Sequence, residues 1–149
     1  MKKTFFIILS TFIIITIIIS SYIHNARRLK IITERTNKHY EQYYNKQIIG
    51  TSLISLINKA IDDNEKNEVL KQENSIYYED NNINSIHITV EFMETNKIIK
   101  MEDIAEKKSE NFVKFFSSTI FECTKVEYHK KTNHIKSLHF EQSYIDFNI

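Results

Sequence analysis

Apolar and polar residues follow one another along this chain in three different ways, and each way predicts a different element. Residues 4–23, TFFIILSTFIIITIIISSYI, carry no charge and have no polar face. Thirteen of these 20 residues are Phe, Ile or Leu, and each such residue favours the bilayer centre by about 0.3–0.6 kcal/mol. As a helix the stretch spans roughly 30 Å, the thickness of a hydrocarbon core. Residues 1–23 therefore read as a transmembrane anchor that meets the lipid bilayer directly. Thr11 and Thr16 can bond back to their own helix, and Tyr22 stands where an interfacial aromatic belongs. No Pro or Gly interrupts residues 24–48, so the helix is expected to continue over 24–49 as a polar stalk. Leu29, Ile32, Tyr40, Tyr43 and Tyr44 give it a loose apolar stripe, and the tyrosines can stack on a partner or cover the domain that follows. Gly50, the only glycine, is expected to end the stalk.

The second pattern has a period of 3.6. In TSLISLINKAIDDNEKN, Leu53, Ile54, Leu56, Ile57, Ala60 and Ile61 share one side, with Thr51 or Ser52 as cap. Leu53, Leu56, Ile57, Ala60 and Ile61 are expected to be the buried stripe, while Asn58, Lys59 and Asp62 face outward or bond locally. Residues 62–67 are its polar exit. The third pattern has a period of two. Ile76, Tyr77 and Tyr78 are a short strand candidate, followed by turn residues Asn81-Asn82-Ile83-Asn84. Ile86, Ile88, Val90 and Phe92 then alternate with His87, Thr89, Glu91 and Met93, which is a half-buried strand. Residues 97–101 are a candidate pairing strand. Glu102 and Asp103 open a third helix with Ile104, Ala105, Phe112, Phe115 and Phe116 inside. Residues 121–129 and 135–141 read as a hairpin turning at 130–133. Phe121 and Cys123 are out of phase with Val126 and Tyr128, which predicts a β-bulge. The class is α+β: a transmembrane helix extended as a stalk, then over 50–149 a helix, a small antiparallel sheet, a helix and a C-terminal β-hairpin.

Composition narrows the function. Residues 24–50 hold six Lys/Arg against Glu34 and Glu41, a balance of +4, whereas residues 51–149 balance at −5. A basic collar beside an apolar run suits anionic headgroups. A mildly acidic domain argues against nucleic acid as a partner. Met1-Lys2-Lys3 would also open a cleaved signal peptide, but the apolar run is longer than such peptides carry and no Ala-x-Ala site follows it. A cut after Ser21 would put Ile19 three residues before the cleavage point. The uncleaved anchor is the expected form. The positive-inside rule taken alone puts the domain in the cytoplasm, yet a Lys-Lys start before an apolar run marks an exported chain. The expected location is the cell membrane, single-pass, with the domain outside the cytoplasm.

Candidate chemistry is thin. His129, His134 and His139 recur every five residues, but residues five apart on a strand face opposite sides, so they are expected as surface groups of the hairpin rather than metal ligands. Asp62, Asp63 and Glu65 lack the alternating ligands and turn glycine of a calcium loop. Cys123 is one cysteine without an evident activating partner, which suits a buried small side chain. Ser52 and Ser55 sit in a helix without a glycine elbow. No catalytic, cofactor-binding or metal constellation is expected, and the chain is not expected to be an enzyme.

Two segments carry a resemblance. They are Ile49-Gly50-Thr51 with Ser55-Leu56-Ile57-Asn58-Lys59-Ala60-Ile61-Asp62-Asp63-Asn64-Glu65-Lys66-Asn67, and Phe121-Glu122-Cys123-Thr124-Lys125-Val126-Glu127-Tyr128-His129 closing on Phe140-Glu141-Gln142. These resemble short uncharacterised single-pass membrane proteins of clostridia-like bacteria, which implies an anchor and no known activity. An apolar helix before a small sheet domain is also similar in architecture to type IV pilins and pseudopilins. The short leader ending in glycine before Phe-Thr-Leu-Ile-Glu is missing, as is a glutamate in the apolar run. The expected role is a non-enzymatic, membrane-anchored assembly or interaction subunit of a bacterial envelope apparatus, pilus- or secretion-like, with a protein partner in the membrane or envelope. The alternatives are a cytoplasmic-facing regulator of a membrane protein and an anchored enzyme of unfamiliar type.

Overall fold

The computed structural model describes residues 2–93, 97–106 and 109–144. Its first element is α1 (Lys2–Glu41), and the chain divides into two compact units, one ending at Arg35 and one beginning at Thr36. In the first unit the apolar side chains of residues 5–23 are all exposed. Ser10, Thr11 and Thr16 each donate to the carbonyl three residues back at 2.8 Å, so their hydroxyls cost the helix little polarity. Among the described residues this is the one helix long and apolar enough to cross a membrane.

The second unit is α+β. It holds β1 (Gln47–Ile49), α2 (Gly50–Lys66), β2 (His87–Phe92), β3 (Lys97–Lys100), α3 (Met101–Glu106), α4 (Ser109–Phe116), β4 (Ile120–Tyr128) and β5 (Ile135–Ser143). The five strands form one sheet in the order β1-β4-β5-β2-β3. Three neighbouring pairs are antiparallel, but β2 and β5 are parallel, with Val90 opposite Phe140. The sheet is therefore mixed, not wholly antiparallel. The cause is the helical connection between Lys100 and Ile120, which delivers β4 in the direction of β3. The hairpin partner of β4, β5, then comes to lie beside β2 in the same sense.

The period-two pattern holds. Ile88, Val90 and Phe92 point to the core, with Ile86 buried just before the strand. In β5 the core residues are Ile135, Leu138 and Phe140, and in β4 they are Phe121 and Cys123. The bulge falls where the phase slips: Cys123 faces Phe140 and Lys125 faces His139, leaving Thr124 as the extra residue. Val126 is thereby returned to the core side. The 3.6 pattern holds as well, with Leu53, Ile54, Leu56, Ile57 and Ala60 buried and Ile61 packed at their margin.

Several local expectations are corrected. The α1 helix stops at Glu41 and not at 49, because residues 47–49 are taken as an edge strand by β4. Asn45, with φ of 53°, turns the chain, and its N–H donates to the Cys123 carbonyl at 2.9 Å. Gly50 does not end the stalk. It opens α2, and a Cβ there would overlap the Phe116 carbonyl, so the glycine lets α2 and the end of α4 touch. No side chain caps α2; the N–H groups of Gly50 and Thr51 donate to the Thr119 and Ser117 carbonyls. Residues 76–78 form no strand beyond a single bridge between Lys71 and Tyr78. The expected third helix is present as α3 and α4, with residues 107–108 outside the described residues. Ile104 and Phe112 are buried, but Phe115 is 69% exposed. The compact unit starts at Thr36 rather than at Gly50, since Asn37 and Tyr40 are built into it.

Two asparagines that periodicity did not single out hold the start of the central strands. Asn64 of α2 donates Nδ2–H to the Ile86 carbonyl at 2.7 Å and accepts from the Ile86 N–H at 2.8 Å. Asn37 donates to the Asn133 carbonyl at 2.7 Å and accepts from the Ile135 N–H at 2.8 Å. Both side chains are buried, so each amide stands in for a strand that is not there. Beside Asn37, the buried Tyr40 donates to Asp63 at 2.8 Å, which answers the question of what at least one of the stalk tyrosines does.

Candidate functional site

The structure places the three hairpin histidines in different surroundings. His129 and His134 are buried, not surface groups, with ring centroids 6.5 Å apart. The Nε2 of His129 lies 2.7 Å from the Ser85 carbonyl, and the Nδ1 of His134 lies 2.9 Å from the Ile135 carbonyl. Both rings are thus tied to backbone next to strand ends. Burial pushes the pKa of His134 down, so it sits there uncharged. His139 points to the other side of the sheet, as the five-residue spacing requires.

Other candidates have structural roles. Cys123 is fully buried, and burial raises its thiol to about 11, which keeps it from acting as a nucleophile near neutral pH. Asp62 pairs with Lys66 at 2.5 Å, and Asp63 is held between Lys59 and the Tyr40 hydroxyl. Glu65 accepts from the buried Tyr78, whose pKa rises to about 12 through burial and that carboxylate. The three acids do not converge on one point as calcium ligands would. Ser55 donates to the Thr51 carbonyl within α2.

The arrangement that the sequence did not suggest lies on the sheet face away from the helices. There β2 and β5 put Thr89 beside His139 and Glu91 beside Glu141. Glu141 is also opposite Glu122 of β4, so three glutamates stand in one row across the sheet. The His139 Nδ1 lies 2.8 Å from the Thr89 hydroxyl. That contact turns Nε2 toward Glu91 Oε2 at 3.2 Å and Glu141 Oε1 at 3.7 Å. The same Glu141 oxygen accepts from Thr124 at 2.7 Å. Glu91, His139 and Glu141 together bring one donor atom each to within 4.8 Å of one another. His139 is half-buried and Glu141 half-exposed, so solvent reaches the cluster. Glu91 and His139 are separated by 48 residues, and no local motif joins them.

At the end of the sheet, a cleft of about 670 Å3 is lined by Asn82, Glu127, Tyr128, His129, Lys130, Lys131 and Lys136. Its cations are partly committed, since Lys136 pairs with Asp80 at 2.5 Å. No protein family, curated protein or solved structure matches the chain.

Proposed function

We infer that this protein is a membrane-anchored, non-enzymatic assembly or interaction subunit of a bacterial envelope apparatus, with its α+β unit outside the cytoplasm. The observation that carries the reading is the fully exposed apolar stretch of α1 joined in one chain to a unit with its own core. A surface of that kind, over ten exposed Ile and Phe side chains, is stable in lipid and not in water. The interaction role is supported by apolar side chains left exposed on the second unit, among them Leu70, Ile98 and Phe115. Against a nucleophilic enzyme stands Cys123, shut inside the core with a raised pKa.

The test uses the full chain in cells. Ile14→Lys places a charge mid-helix at a cost of about 3 kcal/mol of insertion free energy, and should move protein out of the membrane fraction. An export-dependent reporter fused after Ile149 should be active. A photo-crosslinker at Phe115 should give one discrete adduct with a membrane or envelope protein. Membrane binding unaffected by Ile14→Lys would overturn the anchor. Activity of a cytoplasmic reporter alone would transfer the reading to the regulator alternative, for which the basic residues at 24–50 are the support.

A further inference from the structure

We propose that Glu91, His139 and Glu141 form a binding site for one divalent transition-metal ion, with zinc as its reference ligand. Nothing in the anchor or interaction reading requires this site, and it stands on separate observations.

The first is distance. Bonds of about 2.0–2.2 Å from zinc to imidazole nitrogen and carboxylate oxygen put neighbouring donors of a tetrahedron roughly 3.3–3.6 Å apart. The separations from His139 Nε2 are 3.2 Å to Glu91 and 3.7 Å to Glu141. The third separation, between the two carboxylate oxygens, is within 4.8 Å, so an ion fits once the flexible glutamate side chains draw together by at most about 1.5 Å. The second is ligand orientation. Metal-bound histidines have their other ring nitrogen fixed by an outer partner, and ligating carboxylates are themselves hydrogen-bonded. Thr89 holds Nδ1 of His139, and Thr124 holds the Glu141 oxygen that faces the ring. Thr124 reaches that oxygen because it is the extra residue of the β4 bulge, a device that re-aims a side chain.

The third is charge, and it is independent of the hydrogen bonds. Like charges directly opposite on neighbouring strands are unfavourable. Glu122, Glu141 and Glu91 stand opposite one another on three adjacent strands. Among the described residues no lysine or arginine pairs with any of the three; the lysine pairs beside this sheet are Lys125 with Glu127 and Lys136 with Asp80, and the basic side chain that faces Glu91 and Glu141 is His139. A cation between Glu91 and Glu141 removes that conflict. The imidazole selects the metal class. Magnesium and calcium take oxygen cages of six or more ligands, whereas one imidazole with two carboxylates suits zinc and its first-row neighbours. Three protein donors leave a coordination position toward solvent, for water or a ligand from a partner.

The experiment is a zinc titration of the metal-stripped full-length chain in detergent, followed by competition with a chromophoric chelator and by Tm. One equivalent of Zn2+ should bind and raise Tm, while Mg2+ should do neither. Glu91→Gln, Glu141→Gln and His139→Ala should each weaken zinc binding by at least about tenfold. The two glutamine variants relieve repulsion, so their metal-free Tm should equal or exceed the parent's, separating lost ligation from lost fold. Two carboxylate variants keep the test open should one fail to fold. A His24→Ala/His39→Ala variant should bind as the parent does. The proposal is overturned if the parent takes up no saturable zinc, if all three site variants bind as tightly as the parent, or if the zinc follows His24 and His39.

Discussion

The two faces of the sheet are made by the same strands and by alternate residues, yet they answer to different forces. The helix-covered face is Ile88, Val90, Phe92, Phe121, Leu138 and Phe140, all buried. On the opposite face stand His87, Thr89, Glu91, Glu122, His139 and Glu141, all but Glu141 half-buried, with Ile98 beside Glu91 toward the β3 edge. On the first face identity is interchangeable as long as volume is kept, because burial is non-directional. On the second face the His139 ring nitrogens and the glutamate oxygens turned toward them have named partners at stated distances, and a change of one atom type there alters the chemistry. Stability and specific chemistry are thus separated by one residue of register.

That division can be broken most forcefully from the covered side. Ile57 is fully buried beneath the sheet, and Ile57→Ala should cost about 2–5 kcal/mol. Thermal or urea unfolding of the full chain in detergent would show it, and an unchanged midpoint would mean that the α2 stripe is a docking face and not core. A smaller loss is expected where the helices meet each other. Gly50→Ala drives a Cβ into the Phe116 carbonyl, which forces α2 and α4 apart at about 1–3 kcal/mol. If the variant unfolds with the parent, the close approach is not needed.

The weakest of these effects sharpens the comparison through pH. His87 and His134 have pKa values lowered by burial from the usual 6.5. The unfolded chain takes up those protons first as pH falls, so the contribution to stability is complete above about 6.5 and is lost on going down through that value toward the folded-state pKa values. A Tm series from about pH 7.5 to about 5.0 should therefore fall, and His134→Asn should flatten it. A Tm that is level across that window would show that these rings accept protons without cost. For His87 the cause is concrete: among the described residues, its Nε2 is the buried side-chain nitrogen left without a partner.

Elements that depend on near neighbours were legible in the sequence. The α2 stripe, the alternation from Ile86 to Phe92, the C-terminal hairpin and its bulge are all statements about period, and period survives in one dimension. Features set by distant chain were not. The end of α1 depends on Cys123 bonding to Asn45, and the place of Gly50 depends on Phe116. His129 is buried because it meets Ser85, 44 residues away. Phe115 has the right spacing for the inner face of a helix but projects outward. The Glu91–His139–Glu141 cluster arises only because β2 and β5 are parallel neighbours, a pairing that no run of residues announces.

The buried amides of Asn37 and Asn64 have a consequence for that pairing. Each grips the backbone at the start of one of the two parallel strands: Ile135 is the first residue of β5, and Ile86 immediately precedes β2. A strand that slid by one residue would have to give up both bonds to its asparagine and would present its oily side chains to water. The phase of the central pair is therefore set from outside the sheet, by two polar residues on α1 and α2. They act as index pins: they add little to the apolar area that holds the fold together, and they determine which way the fold is read out at its surface.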